Sequence, residues 1–448
     1  MTDLVVHPLD KPLVGGVPVP SDKSIGHRAL LLASLCDGAS TIRGFSYGED
    51  NVSTANAMRA MGALVEDTEP GVLRVTGTGL MGLEAPKDAL DCGNSGTTMR
   101  LLAGVLAGQR FASKLVGDAS LMRRPMMRVV GPLRARGAII EGAPHPTKAG
   151  DLLPPLSIGP LPEGSALGAL EYASPVSSAQ VKSAILLSGL YAHGATWFKE
   201  PTLSRDHTER MLASLGVPLR TVGTMIELDP AGWSGKMPAF EIEIPGDVSA
   251  AAFLLVAALI HPGSRVTVRG VGTNPTRIGL LDIARHMGGG LEILSHGEQG
   301  GEPIAEITAW HAPLRGVSIG GEIVPRAIDE IPIACALAAR ASGTTTIHDA
   351  EELRVKESDR IATMAGVLRA FGVTCDEVPD GLVIEGREGP LEPARVESKG
   401  DHRIAMTAAV LALGGREPSR IVDCDCIATS FPRFVGTLRA LGARIDVA

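Results

Sequence analysis

An amphipathic run that ends in glycine and leads into an alternating strand recurs six times along the chain. The copies are MRAMGALVE at Gly62, LRARGAIIE at Gly137, MLASLGVPL at Gly216, ARHMGGGLEI at Gly288, LRAFGVTC at Gly372 and LRALGARIDV at Gly442. Each glycine falls where a helix needs a left-handed residue just past its last turn before the chain folds back. The copies lie about seventy to eighty residues apart, too far for a solenoid and enough for one compact strand–helix unit each.

A second signature runs in phase with the first. Short polar stretches open apolar helices at Ser24, at Gly96 to Thr98, at Ser177 to Gln180, at Ser249, at Asp329 and Glu330, and from Asp401 to Arg403. The nearest internal match sets VPSDKSIGHRALLLASLCDGASTIRG against IPGDVSAAAFLLVAALIHPGSRVTVRG, aligning Pro20 with Pro245, Asp22 with Asp247 and Ser24 with Ser249. We read this as a half-chain duplication with three strand–helix units per half, and Val19-Pro20 and Ile244-Pro245 as the crossing points. A short N-terminal segment then rejoins the second half. The expected domains are residues 1–20 plus 245–448, discontinuous, and an inserted 21–244. At 448 residues the chain exceeds one ordinary core. With 44% apolar but only 3% aromatic residues, that core is built from Ala, Leu, Val and Ile.

The formal charge of −8 argues against a polyanion-binding surface and hence against a nucleic-acid partner. The longest apolar run, VSAAAFLLVAALI, falls short of the roughly 20 residues a membrane span requires. The N-terminus MTDLVVHPLDKPL has no leader pattern, and the six cysteines read as reduced cytosolic thiols. Cys424-x-Cys426 lacks the accompanying His or Cys pair of a zinc site, so no metal is expected there.

The polar helix openings carry the chemistry. In PSDKSIGHR, Ser21 and Asp22 precede a helix, and Lys23, Ser24 and Arg28 set an ammonium, a hydroxyl and a guanidinium at its mouth. Unpaired N–H groups of a first turn favour anions, and charge-assisted bonds add about 1.5–3 kcal/mol each. DCGNSGTTMR is a Gly-rich turn whose backbone can approach a ligand at Gly96. In LMRRPMMR, Pro125 fixes the backbone after Arg123 and Arg124, a pair suited to clamping a carboxylate or phosphate, or else simply solvated. SPVSSAQVKS supplies Ser177, Ser178 and Gln180 with Lys182 beyond them, and SRDHTERM adds Arg205, Asp206 and His207 in excess of what capping demands. Asp329 and Glu330 open the apolar AIDEIPIACALAA helix, as caps or as bases. EELRVKESDRIA puts Lys356 and Arg360 four apart, on one expected helix face with Glu357 beside them; a solvated salt-bridge helix gives the same string.

PSDKSIGHR, GNSGTTMR, RRPM, SSAQVKS, RDHTE, IDE, LRVKESDR and DHRIAM, in this order and over nearly the whole chain, closely resemble the 5-enolpyruvylshikimate-3-phosphate (EPSP) synthase family, in its divergent bacterial branch. The resemblance implies an inside-out α/β barrel of two domains, built from six repeated strand–helix units, three per domain, with the active site in the cleft between them. It implies transfer of the enolpyruvyl group of phosphoenolpyruvate to the 5-hydroxyl of shikimate 3-phosphate with release of phosphate, by a monomeric cytoplasmic enzyme without metal or cofactor. Motif matching then assigns shikimate 3-phosphate to Lys23, Ser24, Arg28, Ser178, Ala179, Gln180, Arg205, Asp329 and Lys356. Phosphoenolpyruvate falls to Lys23, Gly96, Arg124, Gln180, Arg360 and Arg403, with Glu357 alongside. The acceptor hydroxyl loses a proton while the enol methylene gains one, so an acid and a base are both needed. Glu357 is assigned to the methylene; Asp329 with Lys23 takes the hydroxyl proton and assists the departing phosphate.

The chain departs from the family pattern in three places. Ser21 replaces a usual glycine, and Gly26 a usual Ser or Thr. The lysine many relatives carry before a late T-F-P is absent from IATSFPRF, which has Ala428 and Thr429 there, so that phosphoenolpyruvate contact is missing unless Arg433 supplies it. The rival enzyme is the UDP-N-acetylglucosamine enolpyruvyl transferase, whose loop carries a Cys before an R-P pair; GDASLMRRP has none.

Overall fold

The structure is a computed structural model that describes residues 2–448. The chain divides into two compact units: residues 2–22, 245–298 and 303–448 form the first, and 23–244 with 299–302 the second. Each has its own apolar core, one running from Leu4 through Val248–Ile445 and the other from Ile25 to Ile244.

All six repeat glycines adopt positive φ, between 76° at Gly372 and 113° at Gly442, so the turn-back that the repeat predicts is made at every copy. Six four-stranded sheets result, three in each unit. In the simplest, Leu90–Asp91 runs parallel to Ser113–Val116, which pairs antiparallel with Leu152–Ile158, itself paired with Ile140–Pro144. The first two strands of a unit need a crossover helix because they are parallel, whereas the last two close as a hairpin.

Two strands exchange places where the chain crosses. Val14–Val17 precedes the helix Lys23–Leu35 but pairs with Arg265–Gly272 in the first unit, while Glu241–Glu243 precedes the helix Val248–Ile260 but pairs with Asp37–Arg43 in the second. The duplicated crossing stretches bond reciprocally: Asp22 N donates to Pro245 O at 2.7 Å and Asp247 N to Pro20 O at 2.8 Å. The N-terminal strand Leu4–Val6 lies between Ser419–Val422 and Ile445–Val447, completing the last sheet.

The crossover helices form the interior of each unit. In the first, Val248–Ile260, Ile331–Ala339 and His402–Ala412 pack on one another and are buried along their whole length. A helix apolar on every face is stable only when surrounded, and the sheets supply the outer layer. In the second unit, Gly96–Leu106 lies against Ala179–Gly189 so closely that a Cβ on Gly104 would stand 2.4 Å from the Ala184 carbonyl oxygen. Only glycine permits that approach.

Candidate active site

In the second unit a chain of hydrogen bonds ties the first turns of the three interior helices together. His27 Nδ1 meets Thr54 Oγ1 at 2.7 Å, and Thr54 Oγ1 meets Thr98 Oγ1 at 2.7 Å, joining Lys23–Leu35 to Gly96–Leu106 through the helix Glu49–Ala60. Gln180 donates to Thr97 Oγ1 at 2.9 Å and accepts from Arg100 Nη1 at 2.7 Å, joining Gly96–Leu106 to Ala179–Gly189. Arg28, buried, donates to Thr208 Oγ1 at 2.7 Å, Ser183 Oγ at 2.8 Å and the Ser24 carbonyl at 2.8 Å. Three helix N-termini, with their unbonded N–H groups and positive dipole ends, thus stand side by side.

The cations assigned from sequence stand on this framework. Lys23 is the first residue of its helix and its ammonium lies 2.8 Å from Asp50 Oδ2. Gly96 and Ala179 are likewise first residues of helices, and Ser178 is an N-cap whose hydroxyl makes no cap bond. The arginine pair separates: Arg123 is exposed, whereas Arg124 turns inward after the short helix Leu121–Arg123 and donates to Asn94 Oδ1. Asn94 in turn donates to Asp118 Oδ2 at 2.6 Å. A Cβ at Gly96 would fall 2.5 Å from Arg100 Nη1 and 3.2 Å from Arg124 Nη1, so glycine leaves the space in front of both guanidinia open. Arg205 is half-buried in the segment just before the helix His207–Ser214.

The first unit repeats the plan with the opposite balance of charge. Ser249 Oγ donates to Glu330 Oε1, and Arg403 Nη1 donates to the Asp329 carbonyl at 2.7 Å, tying together the first turns of Val248–Ile260, Ile331–Ala339 and His402–Ala412. Arg360, fully buried, reaches Asp401 Oδ2 at 2.9 Å, Glu357 Oε2 at 2.6 Å and Asp329 Oδ1 at 3.3 Å. Burial opposes its charge, but Asp401, Glu357 and Asp329 outweigh that and hold the guanidinium pKa above its ordinary value. Burial likewise pushes the Asp401 carboxyl up, and Arg360 beside it overcomes this, so the group stays below the usual carboxylate range. Arg277, which sequence reasoning did not single out, bridges Asp22 at 2.9 Å and Asp247 at 3.1 Å and donates to Ser249 Oγ at 2.8 Å.

One expectation fails. Lys356 and Arg360 do not share a helix face. The short helix Glu351–Val355 ends before Lys356, and a new one starts at Arg360 because Asp359, extended at φ −68° and ψ 91°, caps it by accepting from Ala362 N. Lys356 instead pairs with Glu352 at 2.6 Å, while Glu357 reaches Arg360 from the intervening bend. Arg433, left open as a substitute for the absent late lysine, is exposed just ahead of Phe434–Ala440. Sequence reasoning also passed over Asn94 and Arg100 as site residues. Both lie inside the quoted GNSGTTMR motif, and the polar Asn94 ahead of the Ser95 cap was the available signal.

Within each unit, a face of helix N-termini is lined by guanidinia and by carboxylates held on them, groups whose chemistry suits small anions and proton exchange. The family model described as EPSP synthase (3-phosphoshikimate 1-carboxyvinyltransferase) matches residues 9–438. A curated 3-phosphoshikimate 1-carboxyvinyltransferase from Geobacter sulfurreducens is 50% identical over 448 residues, covering 99% of this chain and 100% of that protein. One from Pelobacter propionicus is 51% identical over 426 residues, 95% and 96% of the two chains. The solved EPSP synthase from Acinetobacter baumannii superposes with a TM-score of 0.86 at 41% identity over the whole of both chains. The enolpyruvyl transferase NikO from Streptomyces tendae, at 18% identity and TM-score 0.76 over 100% of this chain and 99% of that one, shares the fold. The chain therefore belongs to the EPSP synthase family, and the inside-out α/β architecture expected from the resemblance is the one observed.

Proposed function

We propose that this protein transfers the enolpyruvyl group of phosphoenolpyruvate to the 5-hydroxyl of shikimate 3-phosphate, releasing phosphate, with binding groups drawn from residues of both units. The observation that carries the reading is that, within each unit, residues assigned from motifs far apart in sequence converge on one set of helix N-termini. Arg28 meets Ser183, on the helix that Ser178 precedes, and Thr208, and Arg360 and Arg403 meet Asp329.

The chemistry follows from these side chains. Asp329, 3.3 Å from the Arg360 guanidinium and 3.9 Å from that of Arg403, takes the proton of the attacking hydroxyl as its oxygen bonds to the substituted enol carbon. Glu357 supplies the proton that turns the methylene into a methyl group. Phosphate then leaves that carbon, taking up through Lys23 the proton Asp329 had accepted, and the methyl group gives a proton back to Glu357, restoring the double bond. Lys23 stands by the bridging oxygen of the leaving phosphate, and Arg124, Arg360 and Arg403 neutralise phosphoenolpyruvate. Catalysis is thus positioning plus electrostatic stabilisation. Lys23, Ser24, Arg28, Ser178, Ala179, Gln180, Arg205, Asp329 and Lys356 hold shikimate 3-phosphate, the last through an ammonium that must exchange Glu352 for substrate.

All six cysteines are free and five are buried, and on those reduced thiols we read the enzyme as cytoplasmic; among the described residues no helix is long and apolar enough to cross a membrane. The test is phosphate release from phosphoenolpyruvate with shikimate 3-phosphate or a UDP-amino sugar as acceptor. Turnover with the first supports the reading, and turnover with the second alone refutes it.

A further inference from the structure

Lys182 and the RDHTE segment exceed what capping requires, and the binding roles above do not use Lys182. Its side chain is fully buried in the Ala179–Gly189 helix. The ammonium lies 2.8 Å from Glu200 Oε1 and 2.7 Å from Glu209 Oε1, and donates to the Ser204 carbonyl at 3.1 Å. Glu200 grips the same residue from the other side, accepting from Ser204 N at 2.9 Å on Oε1 and from Ser204 Oγ at 2.6 Å on Oε2. At the other end of the motif, Ser177 Oγ donates to the Thr202 carbonyl at 2.6 Å and accepts from Thr202 N at 3.0 Å.

These contacts grip one segment, the link between the strand Thr196–Lys199 and the helix His207–Ser214. Arg205 follows Ser204 directly, and Thr208, which accepts from Arg28, precedes Glu209. A buried ion cluster is a poor source of stability, since desolvation offsets most of the attraction. It is well suited to fixing geometry, because each charge is held by several directional bonds. We infer that Lys182, Glu200 and Glu209 are positioning residues: they lock the 200–209 segment onto the helix that carries Ser178 and Gln180, and so set Arg205 and Arg28 for the phosphorylated acceptor. The inference rests on the assignment of Arg205 and Arg28 to shikimate 3-phosphate.

Glu200→Gln is the first test, because it leaves Lys182 paired with Glu209 and removes the second carboxylate oxygen from Ser204. Ser204→Ala, which keeps every charge, is the second and decides the matter if Glu200→Gln does not fold. The expected result is a rise of about tenfold in KM for shikimate 3-phosphate, with KM for phosphoenolpyruvate within about twofold of the parent. Adding Arg205→Ala to Glu200→Gln should raise that KM no further than Arg205→Ala alone. A lowered thermal midpoint with both KM values unchanged, or an equal rise in both, overturns the inference. A parent enzyme that does not turn over shikimate 3-phosphate would instead overturn the proposed function, so the two failures are distinct.

Discussion

The helices Lys23–Leu35 and Val248–Ile260 are the two copies of the duplicated stretch, thirteen residues each, yet only one carries charges that the motifs assign to substrate. Where the first has Lys23, His27 and Arg28, the second has Val248, Ala252 and Phe253. The acidic residue ahead of each is retained, and both Asp22 and Asp247 are bound by Arg277. Duplication therefore supplied two equivalent helix mouths, and side-chain divergence assigned them different work. The first unit draws its charge from elsewhere, through Arg360 and Arg403 set among Asp329, Glu330, Glu357 and Asp401. Four of the assigned cations, Lys23, Arg28, Arg124 and Arg205, fall in one unit, and both carboxylates assigned as proton carriers, each beside a guanidinium, fall in the other.

The largest expected effect would break this division if it failed. Glu357→Gln should lower kcat by about 10²–10⁴-fold with KM for both substrates little changed, as for loss of an acid–base group. A steady-state profile in which KM rises instead would make Glu357 a binding residue and erase the contrast between units.

Asp401→Asn comes next. It removes one of the three carboxylate partners of the buried Arg360 and leaves Glu357 and Asp329, which costs about 1.5–3 kcal/mol of stability, measurable as a lower urea midpoint. An unchanged midpoint would mean that the first unit's carboxylates are not needed to hold its arginines.

His261 sharpens the comparison through pH. It follows the Val248–Ile260 helix at the position where Cys36 follows the other copy. Burial pulls its pKa from 6.5 down to about 4, whereas burial pushes the Cys36 thiol up to about 12. Because the folded His261 resists a proton that the unfolded chain accepts, its contribution is complete above pH 6.5 and disappears as pH falls towards 4. The loss amounts to about 3 kcal/mol. Cys36 stays neutral over that range. Denaturation midpoints at pH 7 and 4.5 should therefore converge in His261→Cys relative to the parent.

The smallest effect contrasts the two copies directly. Arg28→Met should raise KM for shikimate 3-phosphate about 10- to 100-fold, the loss of one or two charge-assisted bonds. Phe253→Leu at the matching place should cost less than about 1.5 kcal/mol of stability and leave both KM values alone. A shift in KM in the second variant would show that the apolar copy also takes part in binding.

Much of this architecture was legible in the residues because its determinants are local. Gly62, Gly137, Gly216, Gly288, Gly372 and Gly442 end helices because a positive φ is required there whatever surrounds them. The polar openings at Ser24, Gly96 to Thr98, Ser177 to Gln180, Ser249, Asp329 and Glu330, and Asp401 to Arg403 each lie at a helix start for the same kind of reason. Lys356 and Arg360 escaped the reading because spacing alone gives them a common face, whereas the Asp359 cap, equally local but overlooked, separates them.

Helix boundaries, the sixfold repeat and the family follow from the order of residues, since capping and backbone preference act over a few positions. Partnership among charges needed the folded chain. Arg277 finds Asp22 across 255 residues, Arg100 finds Gln180 across 80, and Lys182 finds Glu200 across 18. An ion pair or hydrogen bond depends on a distance of about 3 Å, and only the packing of helices against one another sets such distances.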